Sequence, residues 1–139
     1  MQNLIDSILW QGNARDAREI HQVLALGVQA IVDLAENESP VTFPRDVIVL
    51  RYPIADGSGN PAWLLRSIIR SLCGLLENKI PTFIYCSAGM SRSPTLAAAA
   101  ISRLRAMSLD LAITQFFNEP KFDISPALWN DVRDLIENW

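Results

Sequence analysis

One eight-residue segment combines a nucleophile, a set of backbone donors and a fixed positive charge. It reads Cys-Ser-Ala-Gly-Met-Ser-Arg-Ser from Cys86 to Ser93, and five residues separate Cys86 from Arg92. An apolar run at residues 80–85 precedes it, and an alanine-rich stretch at residues 94–101 follows. This order predicts a tight loop between a strand and a helix.

Such a loop can bind an oxyanion. Consecutive backbone N–H groups point inward, and the unpaired N–H groups at the start of the helix add positive potential. A phosphate held there lies above Cys86, with the planar fork of Arg92 across two of its oxygens. The same field favours the thiolate form of Cys86, which is the nucleophilic form. The predicted phosphate-binding residues are Ser87, Ala88, Gly89, Met90, Ser91 and Arg92.

Length and composition predict a single domain over residues 1–139, because 139 residues can bury a core without metals or disulfides. Half of the residues are hydrophobic and 19% are charged, which is typical of a globular protein. No apolar run approaches the roughly 20 residues of a membrane span, and the start lacks the features of a signal peptide. We therefore expect a cytoplasmic monomer that does not bind membranes.

The charge and the cysteine count exclude further classes. A formal net charge of −3 argues against a nucleic-acid partner but not against a phosphorylated substrate, because the field within a cleft is local. Two cysteines and one histidine cannot form a disulfide framework or a zinc site of usual spacing. No metal and no cofactor are expected.

Strand-like and helix-like segments alternate along the chain and predict an α/β fold, with a central, largely parallel sheet flanked by helices in three layers. Predicted strands cover residues 7–10, 30–34, 47–52 and the segment around Phe83; the apolar character of 47–52 predicts a buried strand. Predicted helices cover residues 16–26, a stretch ending near 78, the alanine-rich stretch to about 107, 108–117, and the end of the chain from Ser125. Ligands of such sheets bind beyond the carboxyl ends of the strands, where Cys86 lies.

The segment from Cys86 to Ser93 resembles the signature loop of the cysteine-dependent protein phosphatases. Its Ala-Gly-x-Ser-Arg-Ser motif looks most like that of the dual-specificity branch. Residues 10–14, 28–34 and 52–56 resemble the same family in the same order. The resemblance covers nearly the whole chain, although the loop is its only highly specific part.

The resemblance implies a three-layer α/β fold and a two-step hydrolysis of phosphate monoesters, including phosphotyrosine and phosphoserine or phosphothreonine in proteins. It implies that the Cys86 thiolate attacks phosphorus while Arg92 and the loop amides hold the other oxygens. By the same resemblance, Asp56 protonates the leaving oxygen and later activates water, and Ser93 donates a hydrogen bond to the departing thiolate. Asp56 belongs to a glycine-rich segment after a predicted strand, which we expect to be a mobile loop.

One position departs from the family pattern. The residue before the nucleophile is usually histidine in this family, where it helps to hold the thiol ionised, whereas this chain has Tyr85. A tyrosine hydroxyl is neutral near pH 7, so we expect weaker activation of Cys86.

Two other functions are compatible with a loop cysteine in an α/β domain. A rhodanese-like sulfurtransferase also uses one, but its loop is shorter, and it has no use for Ser93 or for an acid at Asp56. A catalytically weak phosphate-recognition module, or pseudophosphatase, is the other alternative. Binding alone requires neither a nucleophile nor an acid, so the set of Cys86, Arg92 and Asp56 favours an enzyme.

Overall fold

A sheet with helices on both faces organises residues 1–118 and 122–139, the part of the chain described by the computed structural model. Its strands are β1 (Gln2–Ile5), β2 (Leu9–Asn13), β3 (Ala30–Asp33), β4 (Ile48–Arg51) and β5 (Thr82–Cys86). Their spatial order is β1-β2-β5-β3-β4. β2, β5, β3 and β4 pair in parallel, and β1 is antiparallel to β2. The central position of β5 places its carboxyl end between those of β2 and β3.

The helices divide into two layers. Two short helices, α1 (Ala14–Arg18) and α2 (Ile20–Ala25), pack with a smaller core on one face. The larger core on the other face contains α3 (Ala62–Glu77), α4 (Arg92–Arg105), α5 (Leu109–Phe116) and α6 (Pro126–Glu137). The predicted three-layer α/β fold is confirmed. None of the described helices has the length and apolar character needed to span a bilayer.

Helix α4 is the centre of the larger core, as its composition predicts. Every residue from Arg92 to Ser102 is buried, and the alanines at 97–100 are completely so. Small side chains allow neighbouring helices to approach closely, and α4 contacts α3, α5 and α6. The start of α4 is therefore held firmly beneath the end of β5.

Three expectations about secondary structure were wrong or incomplete. Strand β4 is not buried, because it is the edge strand beyond β3; Ile48 is 48% exposed and Val49 is 37% exposed. The single helix predicted over residues 16–26 is two helices, since Glu19 has a non-helical ψ of 62°. Strand β1 had not been predicted, because four residues offer too short a pattern.

Candidate active site

The segment from Cys86 to Ser93 lies at the base of a cavity of about 310 Å³. Cys86 ends β5 and Arg92 begins α4, so residues 87–91 form the predicted loop, here called the anion loop. The cavity is lined by Glu36, Asn37, Asp56, Cys86, Ser87, Ala88, Met90, Ser91, Arg92 and Asp123. We call Cys86, the anion loop, Arg92 and Ser93 the floor of the cleft, and Asn37, Asp56 and Asp123 its rim.

The anion loop directs its carbonyl groups toward the scaffold and leaves its N–H groups unused. Four of its carbonyl oxygens accept hydrogen bonds: Ser87 O from Ala14 N, Gly89 O from Gln11 Nε2, Met90 O from Asp123 N, and Ser91 O from Thr95 N. In contrast, no backbone N–H of residues 87–91 donates to another atom of the described residues. Unpaired amides in a tight loop are the donors that an oxyanion requires.

Glycine is needed at one position of the anion loop. Gly89 has a φ of +72°, and a Cβ atom there would lie 2.9 Å from the carbonyl oxygen of Gly12 in β2. The left-handed conformation and the close contact both exclude a larger residue. The anion loop is thus packed directly against the backbone of the neighbouring strand.

Cys86 and Ser93 form the centre of the floor. Cys86 is 2% exposed, and its Sγ lies 3.1 Å from Oγ of Ser93, which is fully buried. This contact matches the implied role of Ser93 as a donor to the thiolate. Ser93 Oγ also lies 3.3 Å from Gly12 O and 2.8 Å from Gln11 Nε2. Sequence reasoning had not identified Gln11, since a lone glutamine in a strand carries no motif.

Protein oxygens bind part of the Arg92 guanidinium group and leave one of its edges for a ligand. Nη1 donates to the carbonyl oxygens of Leu34 (3.0 Å) and Ile54 (3.4 Å), and Nη2 donates to Asn37 Oδ1 (2.9 Å). A guanidinium group has five N–H donors. These three contacts leave Nε–H and one N–H of Nη2, which is a pair suited to two oxygens of one phosphate.

Asn37 is a rim residue that the sequence pattern did not reveal. Besides accepting from Arg92, its Nδ2 lies 3.4 Å from Ser87 Oγ, so it connects Arg92 to the start of the anion loop. The amide is uncharged, so the positive charge of Arg92 has no anionic partner among the described residues. The full charge remains available to an anionic ligand.

Asp56 reaches the cleft and is tethered there. Ser91 Oγ donates to Asp56 Oδ1 at 2.5 Å and accepts from Ser125 N at 2.9 Å. The segment around Asp56 was predicted to be mobile, but Asn60 closes it with hydrogen bonds to both backbone groups of Ala55. The Ser91 hydroxyl is therefore engaged with the rim, and a phosphate can contact Ser91 only through its backbone.

Two further carboxylates line the cavity. The backbone N–H of Asp123 donates a hydrogen bond to Met90 O, and Glu36 belongs to the segment after β3. Neither stands in a recognisable motif, because each comes from a separate part of the chain and enters the cleft only through the fold. Asp123 is accordingly a second candidate for the acid.

Tyr85 does not face the thiol. Successive side chains of a strand point to opposite faces, and Tyr85 belongs to the core under α1 and α2, whereas Cys86 belongs to the core under α4. Its ring stacks on Phe83 at 5.5 Å. Burial, with a further contribution from the Asp33 carboxylate, raises the pKa of the Tyr85 phenol. Any influence on Cys86 must therefore pass through the strand backbone.

A larger cavity lies between α5 and α6, but the described residues that line it include no reactive side chain. It measures about 550 Å³ and is bordered by Ile113 of α5, by Phe117 just after α5, and by Trp129 of α6. No ionisable side chain lines it among the described residues. The smaller cleft above Cys86 is the candidate active site because it contains a nucleophile, a cation and carboxylates.

The chain resembles known dual-specificity phosphatases in sequence and in fold. No protein-family model matches the chain. Dual specificity phosphatase 28 from Homo sapiens is 27% identical over 134 residues, which cover 93% of this chain and 74% of that protein. The crystal structure of human DUSP28 matches with a TM-score of 0.84 and 22% identity, covering 99% of this chain and 96% of that one. A mouse putative dual specificity phosphatase, complexed with zinc tungstate, matches with a TM-score of 0.85 and 22% identity over 98% of this chain and 86% of that one.

The fold is that of solved dual-specificity phosphatases. The resemblance to the cysteine-dependent phosphatases, and within them to the dual-specificity branch, which the sequence of the anion loop predicted, is confirmed. The structure brings Cys86, Arg92, Asp56 and Ser93 together around one cavity or directly beneath it.

Proposed function

We propose that this protein is a dual-specificity-like protein phosphatase that hydrolyses phosphate monoesters through a phosphocysteine intermediate. One observation carries the proposal. A buried cysteine lies beneath a loop whose backbone N–H groups are unpaired. Beside it is an arginine that donates three of its five N–H groups to protein oxygens and keeps two for a ligand. This arrangement supports attack on a bound phosphoryl group.

In the first step, the Cys86 thiolate forms a bond to phosphorus as the bond to the leaving oxygen breaks. The loop amides and the free edge of Arg92 hold the three remaining oxygens, where charge is distributed in the transition state. Asp56 transfers its proton to the leaving oxygen, so that an alcohol or a phenol departs instead of an anion.

In the second step, water attacks phosphorus and breaks the sulfur–phosphorus bond. Asp56, now a carboxylate, takes the proton of that water. The electron pair returns to sulfur, and Ser93 donates a hydrogen bond to the thiolate that leaves. Inorganic phosphate is released, and the protein returns to its initial state.

The lining of the cleft supports dual specificity. None of the described residues that line the cavity is aromatic, so no ring wall selects for phosphotyrosine. We expect phosphotyrosine, phosphoserine and phosphothreonine peptides all to be hydrolysed. A panel of matched phosphopeptides measures this, and strict selectivity for phosphotyrosine would contradict it.

The alternative functions are less well supported. A sulfurtransferase needs neither the Ser93 contact with sulfur nor the tethered Asp56. The non-catalytic alternative requires a Cys86 that fails to react despite the same surroundings. A labelled phosphoenzyme, trapped by acid quench and absent from Cys86→Ser, distinguishes a slow enzyme from a binding module.

The central experiment is turnover of p-nitrophenyl phosphate by the wild type and by Cys86→Ser. The serine variant should lose all turnover while still binding inorganic phosphate, because the anion loop and Arg92 are intact. Cys73→Ser is a matched control, since the other cysteine of the chain lies on α3 outside the cleft. Substantial turnover by Cys86→Ser would rule out the covalent mechanism.

We further propose a cytoplasmic, monomeric protein with residues 1–139 as one catalytic domain. Its partners are phosphorylated proteins or small phosphate monoesters, not nucleic acids or membranes. A reducing compartment suits a nucleophilic thiol, because oxidation would remove it. Fractionation of cells and size-exclusion chromatography of the purified protein test the location and the oligomeric state.

A further inference from the structure

Gln11 is a buried polar residue in a strand, directly behind the active-site thiol. It is 2% exposed and lies in β2, next to β5. A buried side-chain amide requires hydrogen-bond partners, because an unpaired polar group is costly in the interior. Its Nε2 lies 2.8 Å from Ser93 Oγ, 2.9 Å from Gly89 O and 3.3 Å from Gly12 O.

These neighbours determine which way the amide points. Gly89 O and Gly12 O are carbonyl oxygens and can only accept hydrogen bonds. The opposite orientation would place the amide oxygen against both of them, so Nε2 must face them. One N–H of Gln11 therefore serves Gly89 O and the other serves Ser93 Oγ. Ser93 is an acceptor toward Gln11.

The single proton of the Ser93 hydroxyl then has two destinations. It can be donated to Gly12 O at 3.3 Å or to Cys86 Sγ at 3.1 Å. When Cys86 is a thiol, its S–H can occupy the second lone pair of Ser93, and the hydroxyl proton turns to Gly12 O. When Cys86 is a thiolate, the hydroxyl proton turns to sulfur. Gln11 donates to Ser93 in both states.

We propose that Gln11 is a positioning residue that makes Ser93 a better donor to the Cys86 thiolate and holds the anion loop in its phosphate-binding shape. Donation from Gln11 polarises the Ser93 hydroxyl, because hydrogen bonds in a chain strengthen one another. Its bond to Gly89 O keeps that carbonyl outward and the loop amides inward. The inference deepens the proposed function and rests on it for the catalytic step alone.

Two consequences follow for the proposed reaction. Loss of the Gln11 amide weakens the donor to the thiolate, so ionisation of Cys86 requires a higher pH. Sulfur is also the leaving atom when water attacks the phosphocysteine, so breakdown of that intermediate slows. Phosphoryl transfer to Cys86 depends more on Arg92 and Asp56 and changes less.

The first test is the pH profile of Cys86 alkylation by iodoacetamide in Gln11→Met, with Cys73→Ser as the background so that only one thiol reacts. Methionine keeps the length of the side chain without its donors. We expect the midpoint to rise by about half to one pH unit, which corresponds to the loss of one hydrogen bond. Gln11→Glu, whose ionised form accepts hydrogen bonds and adds negative charge, should raise it further.

A matched control separates positioning from general destabilisation. Thr82→Val also removes a buried hydrogen-bonding group from the sheet, since Thr82 is fully buried and its hydroxyl donates to Ile80 O. It lies at the opposite end of β5 from Cys86, so its alkylation midpoint should equal that of the wild type. The charged groups that line the cleft with Cys86 are Arg92, Glu36, Asp56 and Asp123, and none of them is altered in these variants.

The second test is a rapid-mixing burst experiment with p-nitrophenyl phosphate. At a pH above both alkylation midpoints, where Cys86 is ionised in both proteins, Gln11→Met should release the first p-nitrophenol at nearly the wild-type rate and then turn over about three- to tenfold more slowly. An alkylation midpoint equal to that of the wild type in both Gln11→Met and Gln11→Glu would overturn the inference. Alkylation does not require turnover, so a shifted midpoint in a protein that hydrolyses no phosphate would reject the proposed function and keep the role of Gln11.

Discussion

The floor and the rim of the cleft are built in different ways. On the floor, Cys86 is 2% exposed, Arg92 6% and Ser93 0%, whereas the rim residues Asn37 and Asp56 are exposed. The floor comes from one continuous segment between β5 and α4. The rim comes from three separate segments, after β3, after β4 and before α6.

This difference has an energetic reason. The side chains of Cys86, Arg92 and Ser93 are buried and need partners, so several contacts together determine the position of each, as the three oxygens around Arg92 illustrate. The carboxylate of Asp56 is held by a single serine hydroxyl and remains open to solvent. Changes to the floor should therefore abolish function, and changes to the rim should reduce it by degrees.

Arg92→Lys should have the largest effect. A lysine cannot contact Leu34 O, Ile54 O and two phosphate oxygens at once, because its ammonium group lacks the planar fork. We expect kcat/KM for p-nitrophenyl phosphate to fall by at least about 10²-fold, which is the usual cost of losing an oxyanion donor. Arg103→Lys, on the same helix but stacked on Trp139, is the control and should be neutral. Near-normal activity of Arg92→Lys would mean that the several contacts around Arg92 are not needed to position its charge.

Asp56→Asn should have the next largest effect, and its size should depend on the substrate. General acid catalysis is worth about 10² to 10⁴ in rate, and mainly for poor leaving groups. Phenyl phosphate turnover should therefore fall far more than turnover of p-nitrophenyl phosphate. Asp123→Asn is the matched rim variant and should change either rate only slightly. A larger loss in Asp123→Asn would transfer the acid role to Asp123.

Substitutions of Asn37 should produce a graded loss of anion binding. Asn37→Ala removes one oxygen that orients Arg92, and Asn37→Asp adds a carboxylate that competes with phosphate for the guanidinium group. We expect inorganic phosphate to bind about tenfold more weakly to Asn37→Asp than to the wild type, with Asn37→Ala between them. Isothermal titration calorimetry measures both affinities. Tighter binding by Asn37→Asp would show that the uncharged partner of Arg92 is not important.

Tyr85→His should have a small effect on the thiol, because the side chain lies on the opposite face of the sheet from Cys86. The histidine should lower the midpoint of Cys86 alkylation by less than Gln11→Met raises it. The same alkylation assay, again with Cys73→Ser as the background, compares the two variants directly. A larger shift in Tyr85→His would show that the strand backbone transmits more than the direct hydrogen bonds do.

The smallest expected effect is on stability at high pH. Because the pKa of Tyr85 is raised on folding, the unfolded chain loses this proton first as the pH rises. The folded state should therefore lose stability as the pH rises above about 10, the ordinary tyrosine value. Tyr85→Phe should reduce this alkaline loss in urea titrations.

Features that depend on residues close together in the sequence were predicted correctly, and a feature that depends on distant residues was not. The floor was predicted because a strand end, a loop and a helix start are contiguous, and their backbone geometry positions Cys86 and Arg92 without distant residues. Helix α6 began where Ser125 and Pro126 predicted, since capping is local. The burial of β4 was predicted wrongly, because residues 48–51 carry no information about which strands lie on either side of them.

What the sequence determined by itself was the chemistry: a thiol, a guanidinium group and an amide-rich loop, placed together by a segment of eight residues. Only the tertiary structure decided what surrounds them. It brings Gln11 of β2 behind Ser93, Asn37 against Arg92, and Asp123 beside Met90. These contacts join segments that are far apart along the chain. The first two arise because parallel strands bring their carboxyl ends to one edge of the sheet, and the third arises because the segment before α6 packs on the anion loop; no local pattern records either cause.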